Sequence, residues 1–323
     1  MIWQYLWLIP TTIFHLIASL RDRSIPPPGK LIDLTGYKVH LWVKGTGKTT
    51  IVLDHSLGGI EGYFLIDKIA QLTQVCIYDR PGYGWSDPSP RPRCSAEIVR
   101  ELDLLLTKAK IEPPYILVGD SFGSYNVRLY AQQFPQKVQG IILTDGLHES
   151  GMLNLPLSVI AVKYLFVSGF VMSIVGSLLG IVRLIGTVGL FELIKPEIKQ
   201  FGVGQRNQIK RSFYDRNHWL TMARELLNLN RSSRQVKVAN SFGDLPIISI
   251  KSQTFFNASI FTFILPLKAI DTLRNKMHDR LSLLSSNFTE ISAANSSHFV
   301  WTDEPEIIVR AIEQLLNRES SMK

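Results

Sequence analysis

The chain has 323 residues, 46% of them hydrophobic, with two cysteines and a net charge of +8. That length holds one large α/β domain with an insertion, or two domains. Two cysteines exclude a disulfide framework, and with no recognised nucleic-acid-binding module beside the basic residues, nucleic acid is not read as a partner.

Residues 1–20 contain no Asp, Glu, Lys or Arg and end at Arg21-Asp22-Arg23. The length suits a membrane helix. The aromatics Trp3, Tyr5 and Trp7 fit an interfacial belt, and the arginines fit a cytoplasmic flank. Residues 1–24 are therefore read as an uncleaved anchor or a membrane-lying helix, which makes the protein membrane-associated with the cytoplasmic face favoured. Ile25-Pro26-Pro27-Pro28-Gly29 reads as a stiff spacer.

Strand patterns follow at Lys30–Leu34, Val39–Val43, Ile51–His55, Val75–Asp79, Ile116–Gly119, Gly140–Thr144, Pro246–Lys251 and Phe288–Ser292. Helix patterns lie at Gly62–Leu72, Ser95–Ala109, Ser124–Phe134 and Pro305–Asn317. Two antiparallel strands followed by β–α alternation predict a mostly parallel sheet with an antiparallel edge. Gly45-Thr46-Gly47-Lys48 resembles the tail of a phosphate-binding loop but lacks its first glycine, and is read as a hairpin turn. Cys76 falls on a core strand and Cys94 in a polar loop; both are read as free thiols.

Residues 25–150 and 240–323 are read as the core, and residues 151–239 as an inserted helical cap. The charge surplus lies in the cap, which carries 12 Lys/Arg against 4 Asp/Glu, whereas residues 1–150 carry 15 against 14 and residues 240–323 carry 8 against 9. A basic, apolar segment suits an anionic membrane surface, acidic ligands, or equally a solvated basic face. Within it, Tyr164 to Val182 is uncharged, with Gly176 and Gly180 at G-x-x-x-G spacing. A single crossing there would separate Ser121 from His298, so the run is read as a buried lid helix or a helix dipping into one leaflet.

Val118-Gly119-Asp120-Ser121-Phe122-Gly123 is G-x-S-x-G between a strand and a helix, the setting of a nucleophile elbow. Its glycines allow a sharp turn that lifts Ser121 above the sheet edge. A serine needs a base, and the base needs a group that fixes its tautomer. His298, after the last strand, and His148 are the candidate bases.

Asp79-Arg80-Pro81-Gly82-Tyr83-Gly84-Trp85-Ser86, with the elbow and His298, resembles the α/β-hydrolase fold family and its serine esterase and lipase-like members. The resemblance runs from about Pro28 to Leu316. It implies Ser121 as nucleophile, His298 as proton shuttle, and backbone N–H groups of Leu57 and Phe122 as the oxyanion hole. No carboxylate follows the seventh strand until Asp271. The acid position after the sixth strand, Asp145, is favoured, with Asp271 and Asp279 as alternatives. His55 is expected to shape the oxyanion loop. The family often has His where this chain has Asp120, whose carboxylate is expected to point away from the cleft and to need a hydrogen bond if buried.

The function implied is hydrolysis of a lipophilic ester, amide or lactone through an acyl-enzyme. No metal or cofactor is called for, and the partners are a small lipophilic substrate and a membrane surface. The alternative is a non-catalytic binding or scaffold protein on the same fold.

Overall fold

A computed structural model describes residues 8–59, 61–257 and 262–321. The aromatics Trp3, Tyr5 and Trp7 lie outside the described residues. The chain opens with helix α1 (Leu8–Ser24), then β1 (Lys30–Asp33), β2 (Lys38–Lys44), β3 (Thr50–Asp54), α2 (Gly62–Ile69), β4 (Gln74–Tyr78), α3 (Ser95–Lys108), β5 (Tyr115–Asp120), α4 (Gly123–Gln133) and β6 (Val138–Thr144). Helices α5 (Glu149–Met152), α6 (Leu157–Leu178), α7 (Ile181–Thr187), α8 (Leu190–Ile194), α9 (Val203–Tyr214), α10 (Arg216–Leu227) and α11 (Leu229–Val236) follow before the next strand. The chain closes with β7 (Ile247–Ser252), α12 (Leu267–Leu281), β8 (Phe288–Ala293), α13 (Val300–Asp303) and α14 (Pro305–Ser321).

The strands form one sheet in the order β1-β2-β4-β3-β5-β6-β7-β8. β2 is antiparallel to both β1 and β4, and every later pairing is parallel. The central strands are apolar runs buried on both faces, as a helix-covered sheet requires. Alternate side chains feed two cores. Val52, Leu117 and Ile141 pack with α3 and α4 on one side. Ile51, Leu53, Ile116, Val118 and Ile142 pack with α2 and α14 on the other.

Three expectations are corrected. The loop after Lys44 is not a hairpin turn, because β4 lies between β2 and β3 in the sheet. Cys94 is not in a polar loop. It is buried at the start of α3, where Gln235 of α11 donates to its Sγ at 3.5 Å. The run Tyr164 to Val182 is neither one helix nor buried. α6 stops at Leu178, Gly180 breaks it at φ 76°, and only 6% of its most apolar stretch is covered. A Cβ on Gly180 would lie 2.3 Å from the Thr11 carbonyl oxygen, so this glycine serves the contact with α1 and not a G-x-x-x-G seam.

Sheet register positions the functional residues. Asp120 pairs with Thr144, and Asp54 pairs with Gly119. Ser121, Asp145 and the loop after Asp54 therefore leave neighbouring strands at the same carboxyl edge.

Candidate active site

Ser121 sits at the apex of the β5–α4 turn with φ 49°, a left-handed conformation that a non-glycine residue rarely adopts. The neighbouring glycines permit it. A Cβ on Gly119 would lie 2.6 Å from Val127 Cγ2, and one on Gly123 would lie 2.2 Å from the Asp54 carbonyl oxygen. The Ser121 N–H donates to the Thr144 carbonyl at 2.9 Å, which ties the turn to β6.

His298 lies between β8 and α13 and joins two side chains from other strands. Its Nε2 is 2.8 Å from Ser121 Oγ, and its Nδ1 is 2.5 Å from Asp145 Oδ2. An ionised carboxylate only accepts, so Nδ1 carries the proton and Nε2 accepts from the serine hydroxyl. Phe255 stacks on the imidazole with centroids 4.1 Å apart, and its carbonyl accepts from the His298 N–H. The ring is thus held on its face and at both nitrogens.

Asp145, at φ 41° just past β6, receives more donors than one histidine. Its Oδ1 accepts from Arg274 Nη1 at 3.0 Å, His278 Nε2 at 3.1 Å and the Ser252 N–H at 3.3 Å. Burial by itself would raise this carboxyl. Hydrogen bonds from His278 and His298 outweigh it and hold Asp145 well below the usual range.

The other expected residues fall elsewhere. His148 is buried at the start of α5, where its Nδ1 accepts from the Ser150 N–H at 3.2 Å. Asp271 accepts from the Phe255 N–H at 2.8 Å and from Thr254 Oγ1 at 2.9 Å, so it supports the loop that carries the stacking ring. Asp279 is exposed on α12. His55 is buried, with Nδ1 2.9 Å from the Ser56 carbonyl and its ring edge-on to Tyr83. Burial first, and then the Arg80 charge, push its pKa well below 6.5, so the ring is neutral.

The loop after β3 is fixed by Arg80. Its Nη1 donates to Asp54 Oδ1 and the His55 carbonyl, both at 2.6 Å, and its Nη2 donates to the Ser56 carbonyl at 2.8 Å. The same guanidinium forms a two-pronged pair with Glu225 of α10 at 3.0 Å on each side. All three charged groups are fully buried. Among the described residues, the N–H groups of Leu57 and Phe122 donate to no protein acceptor. Phe122 opens α4, where backbone N–H groups have no helical partner and favour negative charge.

Asp120 turns away from Ser121. Thr144 Oγ1 donates to its Oδ1 at 2.6 Å, and Trp301 Nε1 donates to that hydroxyl at 2.8 Å. Burial pushes the carboxyl up from 3.8 to about 7. Because the folded value is the higher one, the folded state binds the proton more tightly. Stability is therefore full below pH 3.8 and declines as pH rises to about 7. Asp120→Asn removes that dependence. Urea unfolding from pH 4 to pH 8 should show the wild type losing up to about 4 kcal/mol relative to the variant. Parallel pH curves for the two proteins would refute this.

An aromatic cavity of about 670 Å³ adjoins the His298 loop. It is lined by Phe166 and Trp219 from the helices between β6 and β7, by Phe256, and by Ser297 and Phe299 on either side of His298. Neither this cavity nor a second concavity of about 820 Å³, beside α5 and α12, includes Ser121, Asp145 or His298 in its wall.

Sequence reasoning missed Arg274, His278 and Glu225. Arg274 and His278 are one helical turn apart on the face of α12 that also buries Ile270 and Met277, a spacing visible in the sequence. No local signal marked Glu225.

A family model described as the alpha/beta hydrolase fold matches residues 49–169. Among curated proteins, an uncharacterised protein of Bacillus subtilis is 29% identical over 145 residues, covering 43% of this chain and 45% of that one. An uncharacterised vacuolar membrane protein of Saccharomyces cerevisiae is 36% identical over 96 residues, covering 29% of this chain and 14% of its own. The chain thus spans less than half the length of these relatives. Among solved structures, the Cif epoxide hydrolase of Acinetobacter nosocomialis superposes with a TM-score of 0.69 over 94% of this chain and 96% of that one, at 14% identity. That likeness concerns the fold. The sheet order, the strained turn after β5 and the family match over residues 49–169 agree: the chain has the α/β-hydrolase fold.

Proposed function

We propose that the protein is a serine hydrolase that cleaves a lipophilic ester, amide or lactone through an acyl-enzyme. The observation that carries this reading is the hydrogen-bonded series from Asp145 through His298 to Ser121, with the serine at a positive φ. Ser121 Oγ attacks the carbonyl carbon while His298 Nε2 takes its proton. The oxyanion is held by the N–H groups of Leu57 and Phe122, and His298 then returns the proton to the leaving group. Water repeats the sequence on the acyl-enzyme. Asp145 fixes the tautomer and stays ionised.

An aspartate at the elbow apex would suit epoxide or haloalkane opening, but the apex here is Ser121 and the Asp120 carboxylate is bonded to Thr144. The aromatic cavity beside His298 suits an apolar acyl or alcohol group. On this reading the N-terminal helix holds the enzyme at a membrane, and Arg21 and Arg23 put it on the cytoplasmic side.

The test is fluorophosphonate labelling of wild type and Ser121→Ala in detergent, with mass spectrometry of the labelled peptide. Labelling at Ser121 that the variant loses is the expected result. A folded wild type that does not label would overturn the reading in favour of a non-catalytic binding protein.

A further inference from the structure

Helix α1 is packed inside out. Its inward stripe is polar. Thr11 Oγ1 and Thr12 Oγ1 donate to the Leu179 carbonyl at 2.9 and 3.3 Å. Arg183 of α7 reaches His15 Nδ1 and Ser19 Oγ at 3.2 Å each and Asp22 Oδ2 at 2.6 Å. The outward stripe is Ile9, Ile13, Phe14, Leu16, Ile17 and Leu20, exposed by 45–68%. A surface helix in water has the reverse arrangement.

Helix α6, whose capping Leu179 carbonyl accepts from Thr11 and Thr12, is apolar outward as well. Leu157, Tyr164, Leu165, Met172, Val175 and Leu178 form an exposed stripe along its 22 residues. At 1.5 Å per residue that is roughly 33 Å. Its one charge, Lys163, lies off the stripe and is half-buried. The opposite side of α6 faces the interior: Phe166 lines the aromatic cavity, and Phe170 packs on Trp219 with centroids 6.1 Å apart. One helix therefore separates the cavity from the outer apolar surface.

We propose that α1 and α6 sit together in one leaflet of an anionic bilayer, and that the lipophilic substrate reaches the cavity sideways from the lipid, past α6. Two observations select lipid as the occupant. The polar groups of α1 are satisfied inward, which hydrocarbon demands of a helix and water does not. Exposed cations also accompany the α1 stripe: Arg21 and Arg23 lie in the last turn of that helix. Those cations complement anionic headgroups. The sideways route rests on the proposed hydrolase activity, whereas the seating of the two helices does not.

The experiment is flotation of the purified full chain with phosphatidylcholine vesicles, with and without phosphatidylserine. Wild type should float, and more completely with phosphatidylserine. Ile13→Asp with Ile17→Asp, and separately Leu165→Asp with Met172→Asp, should each reduce the vesicle-bound fraction about tenfold or more. Both pairs should retain hydrolysis of soluble methylumbelliferyl acetate and lose hydrolysis of methylumbelliferyl oleate in vesicles. Photolabelling of wild type with a diazirine-bearing phospholipid keeps the test independent of how the variants fold, and should mark peptides within residues 9–20 and 157–178. Variants that float like wild type, or photolabel confined to other segments, would overturn the proposal. So would a wild-type dimer in vesicle-free buffer that the substitutions split while flotation is absent, because a second copy would then cover the surface. If wild type floats and neither ester is hydrolysed, the hydrolase reading fails and the seating of the two helices stands.

Discussion

Asp145→Asn will lower kcat/KM toward an activated ester by about 10⁴-fold, with little change in fold. The reason lies in the donors around the carboxylate. Oδ1 faces Arg274, His278 and the Ser252 N–H, and Oδ2 faces His298 Nδ1. An asparagine has one acceptor end and one donor end. Turning its NH₂ toward Oδ1's partners sets it against three donors, whereas turning it toward His298 sets it against one. The amide therefore takes the second orientation and donates to Nδ1. That drives the imidazole proton to Nε2, where it faces Ser121 Oγ and cannot accept the serine proton. Fluorophosphonate labelling should slow in parallel with ester turnover. A loss of less than tenfold would sink this account of Asp145. Pairing Asp145→Asn with Arg274→Met relaxes the constraint on the amide, and part of the lost rate should return.

Arg80→Leu will destabilise the protein by about 3–5 kcal/mol, the range for breaking a buried ion pair from one side. The substitution leaves Asp54 and Glu225 as carboxylates buried without their cation, and it frees the carbonyls of His55 and Ser56. Those carbonyls belong to the segment that presents the Leu57 N–H, so labelling of Ser121 should fall as well. Urea unfolding monitored by circular dichroism reads the first effect, and the labelling rate reads the second. Arg80→Leu combined with Glu225→Leu should recover part of the stability, because one stranded charge is removed. A loss under about 1 kcal/mol for the single variant would refute this role for Arg80.

Some of the site was legible in the chain and some was not. The elbow could be read because its requirements are local. Gly119 and Gly123 stand where any Cβ would strike Val127 or the Asp54 carbonyl, and the apolar run Tyr115–Val118 ahead of it is a buried strand. His298 and Asp145 could be named because the family resemblance points to the two strand ends they follow, and the pattern marked those ends. The buried donors around Asp145 could not be read. Arg274 and His278 lie more than 125 residues from Asp145 in sequence, and only the packing of α12 against β7 and the Asp145 turn brings them together.

The sequence by itself marked the order of the strands and the elbow around Ser121, and its resemblance to the α/β-hydrolase fold family set Asp145 and His298 beside that serine as one candidate set. It also marked the two apolar segments that became α1 and α6. Those features follow from side-chain periodicity, glycine placement and position after a strand, all of which act over a few residues. The tertiary structure decided which way each amphipathic surface turned and which buried charges met. Hydropathy marks a segment as apolar without saying which face a neighbour will cover. Thr11, His15, Ser19 and Asp22 point inward only because Arg183 and the Leu179 carbonyl wait there. Arg80 meets Glu225 across 145 positions of chain for the same reason: burial forces each charge to find its partner, and only the packed fold determines where that partner lies.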